Sequence, residues 1–425
     1  MHRHAPGIDS ALAPVETPAS VPPEMAATPV DRSYRALLGV PSLGRILVGM
    51  TVARIGGSMW AVAMVLFALA HYGSPAIAGA VGFAMLFPGI VASPVAGALL
   101  DRYGRIRLVI VDYLVAGSAL GLIGILALAD RLPPVLLVAI VAVASLTEPL
   151  SASGVRSVFP VIVPEHLWER ANAADSNAWV VATLLAPPLA AALVQVWGGP
   201  PTLIAIAAVF GLAAAAMSRV PEPGIAEPSG GRLLLDARDG LLYVWHNATL
   251  RSLALSISVL NLGFGMIEIA IPVMVLDRFH QPPAVVGAVW AVMAVGGMAA
   301  TLLVGRVDTR GIERGLIAWP MAGMAVALAL PVVWPGIWTV LLAALLVGML
   351  NGPVDIALMT LRQRRTDQAW MGRAFAVSMA LNGLGGPFGS LIGGWLVASS
   401  LDAALAFGVA ASVAAALAAL LTLER

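Results

Sequence analysis

From Ile46 onward, apolar stretches of membrane-spanning length recur to the end of the chain, separated only by turn signals or arginine-bearing connectors. They fall near 46–70, 76–100, 106–129, 134–157, 174–196, 200–218, 251–275, 283–305, 315–333, 336–360, 373–398 and 402–422. In hydrocarbon, open strands would leave backbone polar groups unpaired, so these stretches must be helices. Composition agrees: 60% of the residues are hydrophobic, 11% are charged and the mean hydropathy is +0.91, against roughly a quarter charged in soluble domains. Twelve spans use about 240 to 300 residues, which leaves no room in 425 for a large soluble domain. Residues 1–42, rich in Pro and Ala without a continuous apolar core, read as a disordered tail rather than a signal peptide.

What the chain lacks narrows its chemistry. It has no cysteine, which excludes disulfides, iron–sulfur clusters and thiolate zinc sites. All 24 basic residues are arginine, and without a lysine there is no phosphate loop of the kind ATP-driven pumps use. The six histidines lie in tails or polar connectors and form no H-E-x-x-H pair. No cofactor or metal is expected, and an enzyme is not indicated. The net charge of +1 offers no basic face for nucleic acid.

Arginine placement tests the span count independently. Both tails and the connectors on one side of a twelve-span layout hold 21 of the 24 arginines. The opposite connectors hold Arg131 and Arg278, and Arg54 lies within the first span. The positive-inside rule then puts both termini in the cytoplasm.

The two halves echo each other. Asp101-Arg-Tyr-Gly104-Arg-Ile-Arg107 follows span 2, and Asp308-Thr-Arg-Gly311-Ile-Glu-Arg314 follows span 8, 207 residues later. Ala186-Pro187 in span 5 matches Gly386-Pro387 in span 11 at a displacement of 200. Several matches near one displacement argue for a duplication: a bundle over 43–218, a linker over 219–250 and a second bundle over 251–425. The linker opens with Pro221-Glu-Pro-Gly and continues from Leu233 as an alternation of apolar and charged residues. That stretch reads either as a helix on the membrane surface or as a cap on the protein's own face.

Gly97-Ala-Leu-Leu-Asp101-Arg102-Tyr-Gly104-Arg105-Ile-Arg107 resembles the signature loop of the major facilitator superfamily at every specified position. The resemblance covers essentially residues 43–425 and implies an all-α membrane protein of twelve helices in two pseudo-symmetric six-helix bundles. It implies that Gly97 lets helix 2 approach helix 11, and that Asp101, Arg102, Arg105 and Arg107 form a charge latch between two conformations. An Asp near a helix N-terminus would also be favoured by the helix dipole. More narrowly the chain is similar to the drug-exporter branch that includes macrolide and siderophore exporters. The segments are Val163-Pro164-Glu-His-Leu-Trp-Glu-Arg-Ala171-Asn172-Ala173 and Met371-Gly372-Arg373. The antiporter signature of span 5 stands here as Ala186-Pro187-Pro188, with a fuller copy, Gly385-Gly386-Pro387-Phe-Gly389, in span 11. Pro187, Gly386 and Pro387 are the candidate helix-packing residues. The mid-helix arginine of span 4 in many drug/proton antiporters has no counterpart, since Arg156 lies near the span's end.

Five ionisable residues lie well inside the predicted spans: Arg54, Asp112, Glu148, Glu268 and Asp355. Each costs about 2.5–3.5 kcal/mol at a helix centre on insertion scales, so it must pair, titrate or face water. Spans 1, 4, 7 and 10, which the resemblance places around the central cavity, carry one each of Arg54, Glu148, Glu268 and Asp355. Asp112 is expected to pair with Arg107 at the rim. Arg54 is the candidate partner of Asp355, and the two read equally as a structural ion pair or as part of a substrate or proton-coupling site. Glu148 and Glu268 have no cation nearby in sequence and are the candidates for proton coupling.

The expected protein is therefore a secondary active transporter, monomeric, in a bacterial inner membrane. It would export a small amphiphilic compound, a drug or siderophore, against inward proton flow. Gln195 is the only glutamine inside a predicted span, which favours an apolar cargo over a sugar. A transporter of a polar metabolite, or a sensor or lipid scramblase of the same fold, is the alternative. The partners are the cargo, protons and the bilayer.

Overall fold

The computed structural model describes residue 31 and residues 33–222, 233–367 and 370–423. The predicted tail up to residue 30 and residues 223–232 of the linker lie outside the described residues. Every described element is a helix. The tail expected to reach residue 42 ends sooner: α1 (Tyr34–Leu38) is capped by the Ser33 hydroxyl, which accepts from Ala36 N at 3.1 Å, and Leu37 is buried.

The first half comprises α2 (Leu43–Tyr72), α3 (Pro75–Tyr103), α4 (Arg105–Leu128), α5 (Pro134–Ser145), α6 (Glu148–Ile162), α7 (Trp168–Trp197) and α8 (Gly199–Ser218). After α9 (Leu233–His246), the second half comprises α10 (Ala248–Val273), α11 (Pro283–Val304), α12 (Glu313–Val333), α13 (Ile337–Arg364), α14 (Met371–Gly383), α15 (Gly385–Ser399) and α16 (Leu401–Thr422). Prolines open α3, α5 and α11, where the missing N–H would be unpaired anyway.

Among the described residues, eleven segments are long and apolar enough to cross a membrane, with Pro134–Ile162 counted as one. The twelfth, α14 and α15 together, divides at Leu384 within a run of glycines. The fourth span is also broken, at Leu146–Thr147, because Pro149 cannot donate to the preceding turn. Both breaks fall inside spans that the hydropathy pattern reads as continuous.

Helices α2–α8 pack among themselves, as do α10–α16, and the two bundles meet through α3 with α15 and α7 with α11. Small residues allow the closest approaches. A Cβ on Gly79 would sit 2.5 Å from the Ser390 carbonyl oxygen and 2.7 Å from the Gly394 Cα, and one on Gly287 would sit 2.5 Å from the Pro188 Cα. Inside the second bundle, Gly385, Gly389 and Gly393 repeat every four residues and press α15 onto Ser258, Leu262 and Met266 of α10.

The inter-bundle seams lie in the half of the molecule away from the arginine-rich connectors. Toward the arginine-rich face, Gly97 has nothing within 4 Å, and Ser93, Pro94, Val95 and Ala98 beside it are exposed. A crevice between the bundles therefore opens on that face. α9 packs against the second bundle and leaves part of its apolar surface uncovered. Tyr243 stacks on Trp370 at 5.0 Å and bonds Asp367, while Leu241, Leu242 and Trp245 stay exposed.

Candidate functional site: the signature loop and the charges around the crevice

The loop between α3 and α4 is organised by a residue the sequence reading overlooked. The Glu222 carboxylate, at the start of the linker, accepts from the backbone N–H groups of Arg105, Ile106 and Arg107 at 2.6, 3.2 and 3.0 Å. These are unpaired donors of the first turn of α4, where the helix dipole favours a negative charge. Gly104 is required twice over. Its φ is +98°, and a Cβ there would lie 2.8 Å from the Glu222 carboxyl carbon.

Asp101, expected at a helix N-terminus, lies instead in the last turn of α3. The dipole is unfavourable there, and Arg105 Nη2 compensates by pairing with Asp101 at 3.3 Å. Arg105 Nη1 donates to the Ser157 carbonyl on α6 at 2.7 Å, and Arg102 lies over the Tyr103 ring. Arg107 contributes its backbone N–H to Glu222. The loop thus ties α3, α4 and α6 to the end of α8, all within the first bundle. Gly97 does not bring α3 against α15 as expected. Gly79 and Gly82 do, near the opposite membrane face, where a Gly82 Cβ would meet the Ser390 side chain at 2.9 Å.

Within the spans, the expected pairing of Arg54 with Asp355 is replaced by one inside the first bundle. Arg54 Nη1 donates to the Asp175 carbonyl and Nη2 to its carboxylate, each at 2.5 Å. Arg156 Nε approaches the other carboxylate oxygen at 3.5 Å, and Arg54 lies 5.7 Å from the Trp179 ring centre. Asp355 is exposed and accepts from Asn351 at 2.7 Å, one turn away on α13. Asp112 does not pair with Arg107 either. Buried on α4, it accepts from the Thr147 hydroxyl at 2.7 Å, at the break between α5 and α6.

Glu148 follows that hydroxyl as the first residue of α6, with its side chain toward α3. A Cβ on Gly89 would lie 3.6 Å from its Oε2. Glu268 on α10 accepts from the Ser390 hydroxyl at 3.3 Å, beneath the seam that Gly82 makes with Ser390. The structure does not bring the two glutamates together. Both flank α3, at levels seven residues apart, or about 10 Å of helical rise.

Pro187 and Pro188 form the floor on which Gly287 of α11 rests. Pro387 is buried, and Gly386 faces Leu86 across the crevice while its carbonyl accepts from the Ser390 hydroxyl. Beside this seam Phe83 and Phe87 stack at 4.7 Å, and Phe388 meets both edge-on at 5.5 Å. An aromatic wall is thus built from α3 and α15, with Phe83 next in sequence to Gly82 and Phe388 two residues before Ser390.

Sequence reasoning missed Asp175, Glu222 and Arg362. Asp175 reads as a span end, Glu222 as part of a hinge and Arg362 as a topology-setting charge. Each acquires its role through partners more than 15 residues away. Only the Pro221-Glu222-Pro223 run, at the start of the linker, offered a local signal.

Twelve spans in two bundles, a crevice open to one face and the D-R-x-G-R-x-R loop define a membrane transporter built from two halves. The chain belongs to the Major Facilitator Superfamily, whose profile matches residues 46–310 and 253–425. It is 35% identical over 392 residues to the uncharacterized MFS-type transporter y4rN of Sinorhizobium fredii, covering 91% of this chain and 96% of that one. It is 26% identical to the multidrug efflux pump Tap of Mycobacterium bovis, over 82% of this chain and 85% of the pump. Among solved structures, the nucleoside transporter NupG shares the fold with a TM-score of 0.71 at 12% identity, over 91% of this chain and all of that one.

Proposed function

We propose that the protein is a secondary active exporter of small amphiphilic compounds, driven by proton entry and working as a monomer in a bacterial inner membrane. Both termini lie in the cytoplasm, so the crevice faces the cytoplasm. The similarity to multidrug efflux pumps supports the cargo class, and the arginine asymmetry supports the orientation.

The observation that carries the coupling is the placement of Glu268. It is bonded to Ser390, under the seam that must part when the bundles rock, on a helix packed against the one that carries Phe388. A carboxyl there changes its access to water as the seam opens, which lets cargo and proton exchange for one another. Glu148 occupies the matching role against α3 on the other side. Asp101, Arg105 and Glu222 act on the equilibrium between the two states rather than on cargo.

The test is transport in proteoliposomes of Glu148→Gln and Glu268→Gln, each mimicking the protonated form. The expected result is loss of uphill efflux of an amphiphilic dye across a pH gradient, with downhill exchange retained. Wild-type uphill rates in both variants overturn the assignment.

A further inference from the structure

Among the described residues Arg362 is the largest fully buried side chain, with 0% of its surface exposed. It sits near the end of α13 and reaches across to α14. Arginine carries five donors and no acceptor, and those of Arg362 find only weak or neutral partners. Nη1 points at the Met379 sulfur at 2.8 Å and the Met359 sulfur at 3.9 Å. With the Asn382 amide turned so that its oxygen faces the guanidinium, Nη2 donates to it at 2.6 Å. Nε has no partner. The Phe375 ring lies 5.1 Å from the guanidinium carbon. Among the described residues no carboxylate forms an ion pair with it.

The duplicated half shows what is absent. On the register that aligns Pro187 with Pro387, Asp175 corresponds to Phe375 and Trp179 to Met379. In the first bundle, Arg54 and Arg156 hold the Asp175 carboxylate, and Arg54 lies over Trp179. In the second, Arg362 faces the corresponding two positions and finds a ring and a thioether. A buried cation is retained only when something compensates it, and sulfur is a weak acceptor. The covering is also thin: Met379 and Met359 are 47% and 38% exposed. Both are flexible side chains that give way readily to an incoming group.

We propose that Arg362 is the recognition residue for the anionic head of an amphiphilic cargo, and that the missing counter-ion is the cargo's own carboxylate. This deepens the export reading and rests on it for the word cargo. The carboxylate displaces Met379, takes the Nε and Nη donors of the planar fork in a bidentate pair, and leaves its apolar body against Met359, Met379 and Phe375. Asn382 stays as a neutral neighbour, held through its carbonyl by Asn261 at 2.8 Å.

Binding of 2-naphthoate and of 2-naphthylmethylammonium, equal in apolar body and opposite in charge, is measured by equilibrium dialysis on the purified full-length protein. Wild type is expected to prefer the carboxylate at least tenfold. Arg362→Met should abolish the preference. Asn382→Asp, which supplies a carboxylate beside Arg362 as Asp175 does beside Arg156, should abolish it too, with a melting temperature no lower than wild type. Should Arg362→Met fail to fold, Asn382→Asp decides alone. Equal affinity for the two probes in wild type, or a preference that survives Asn382→Asp, overturns the proposal. Gradient-driven dye efflux is scored separately in proteoliposomes. Efflux with no charge preference rejects the anion site and leaves export standing, whereas an Arg362-dependent preference without efflux of dye or naphthoate does the reverse.

Discussion

The two bundles solve one packing problem with different chemistry. In the first, Arg54 of α2 donates to the Asp175 backbone carbonyl, and in the second Asn261 of α10 donates to the Asn382 backbone carbonyl. Arg54 and Asn261 are 207 residues apart, as are Asp175 and Asn382, and as are Asp101 and Asp308. An arginine of the fourth helix in each half, Arg156 or Arg362, then approaches the side chain of the receiving residue. The first bundle therefore holds a carboxylate between two guanidinium groups, and the second holds one guanidinium among amides, sulfur and a ring. On the proline register Asn382 stands two turns further along than the partner of Asp175, so the equivalence is of contact rather than of aligned residue. A set that contains its own counter-ion can be purely structural. One that lacks a counter-ion stores a preference for an anion, and that is where the two halves differ.

The contrast can be broken in order of expected effect. Asp175→Asn leaves Arg54 and Arg156 facing each other without an anion; removing one partner of such a buried pair costs roughly 3–5 kcal/mol, read as a fall in thermal unfolding temperature in detergent. A fall no larger than that of Arg131→Gln, at an exposed connector, would mean that the first bundle is as indifferent to the carboxylate as the second. Arg54→Asn combined with Asp175→Asn copies the neutral pair of the second bundle. It should recover part of the loss, with a coupling of roughly 1–3 kcal/mol in a double-mutant cycle; strict additivity would deny that the two halves are interchangeable in design. Asn261→Ala removes one neutral hydrogen bond and should cost about 1 kcal/mol, leaving dye efflux within twofold of wild type. A loss as large as that of Asp175→Asn would show that the amide pair carries a load its chemistry does not suggest.

The spans were legible because each is a continuous apolar run whose ends are marked by glycine, proline or arginine. The signature loop was legible as a spacing, but its electrostatics were not. The chain reverses at Gly104, so Asp101 belongs to the end of α3 and the free N–H groups of α4 go to Glu222, more than a hundred residues on. Asp175 lies at the second residue of its predicted span and was indistinguishable from a boundary charge. Its partner Arg54 was assigned to Asp355 because both lie in the half of the membrane nearer the arginine-rich connectors, a criterion blind to which bundle faces which. Arg362 reads as one more arginine of a basic connector until α13 is seen to run on to Arg364 with that side chain turned inward. Local pattern reports burial depth along a helix, whereas partners across helices are set by rotation and crossing, which hydropathy does not encode.

The glycine stripe of α15 has a consequence for what moves. With Gly385 and Gly389 laid on the backbone of α10 and Gly393 against Met266, little side chain stands between the two helices to slide or re-pack. Under the rocking proposed above they would travel as a single body, carrying Glu268 and Ser390, one on each, with their hydrogen bond inside it. The carboxylate is thus a stationary passenger in its own bundle. On that proposal its exposure would follow the withdrawal of α3, whose Gly79 and Gly82 lie against Ser390 and Gly394 beside it like a sliding shutter.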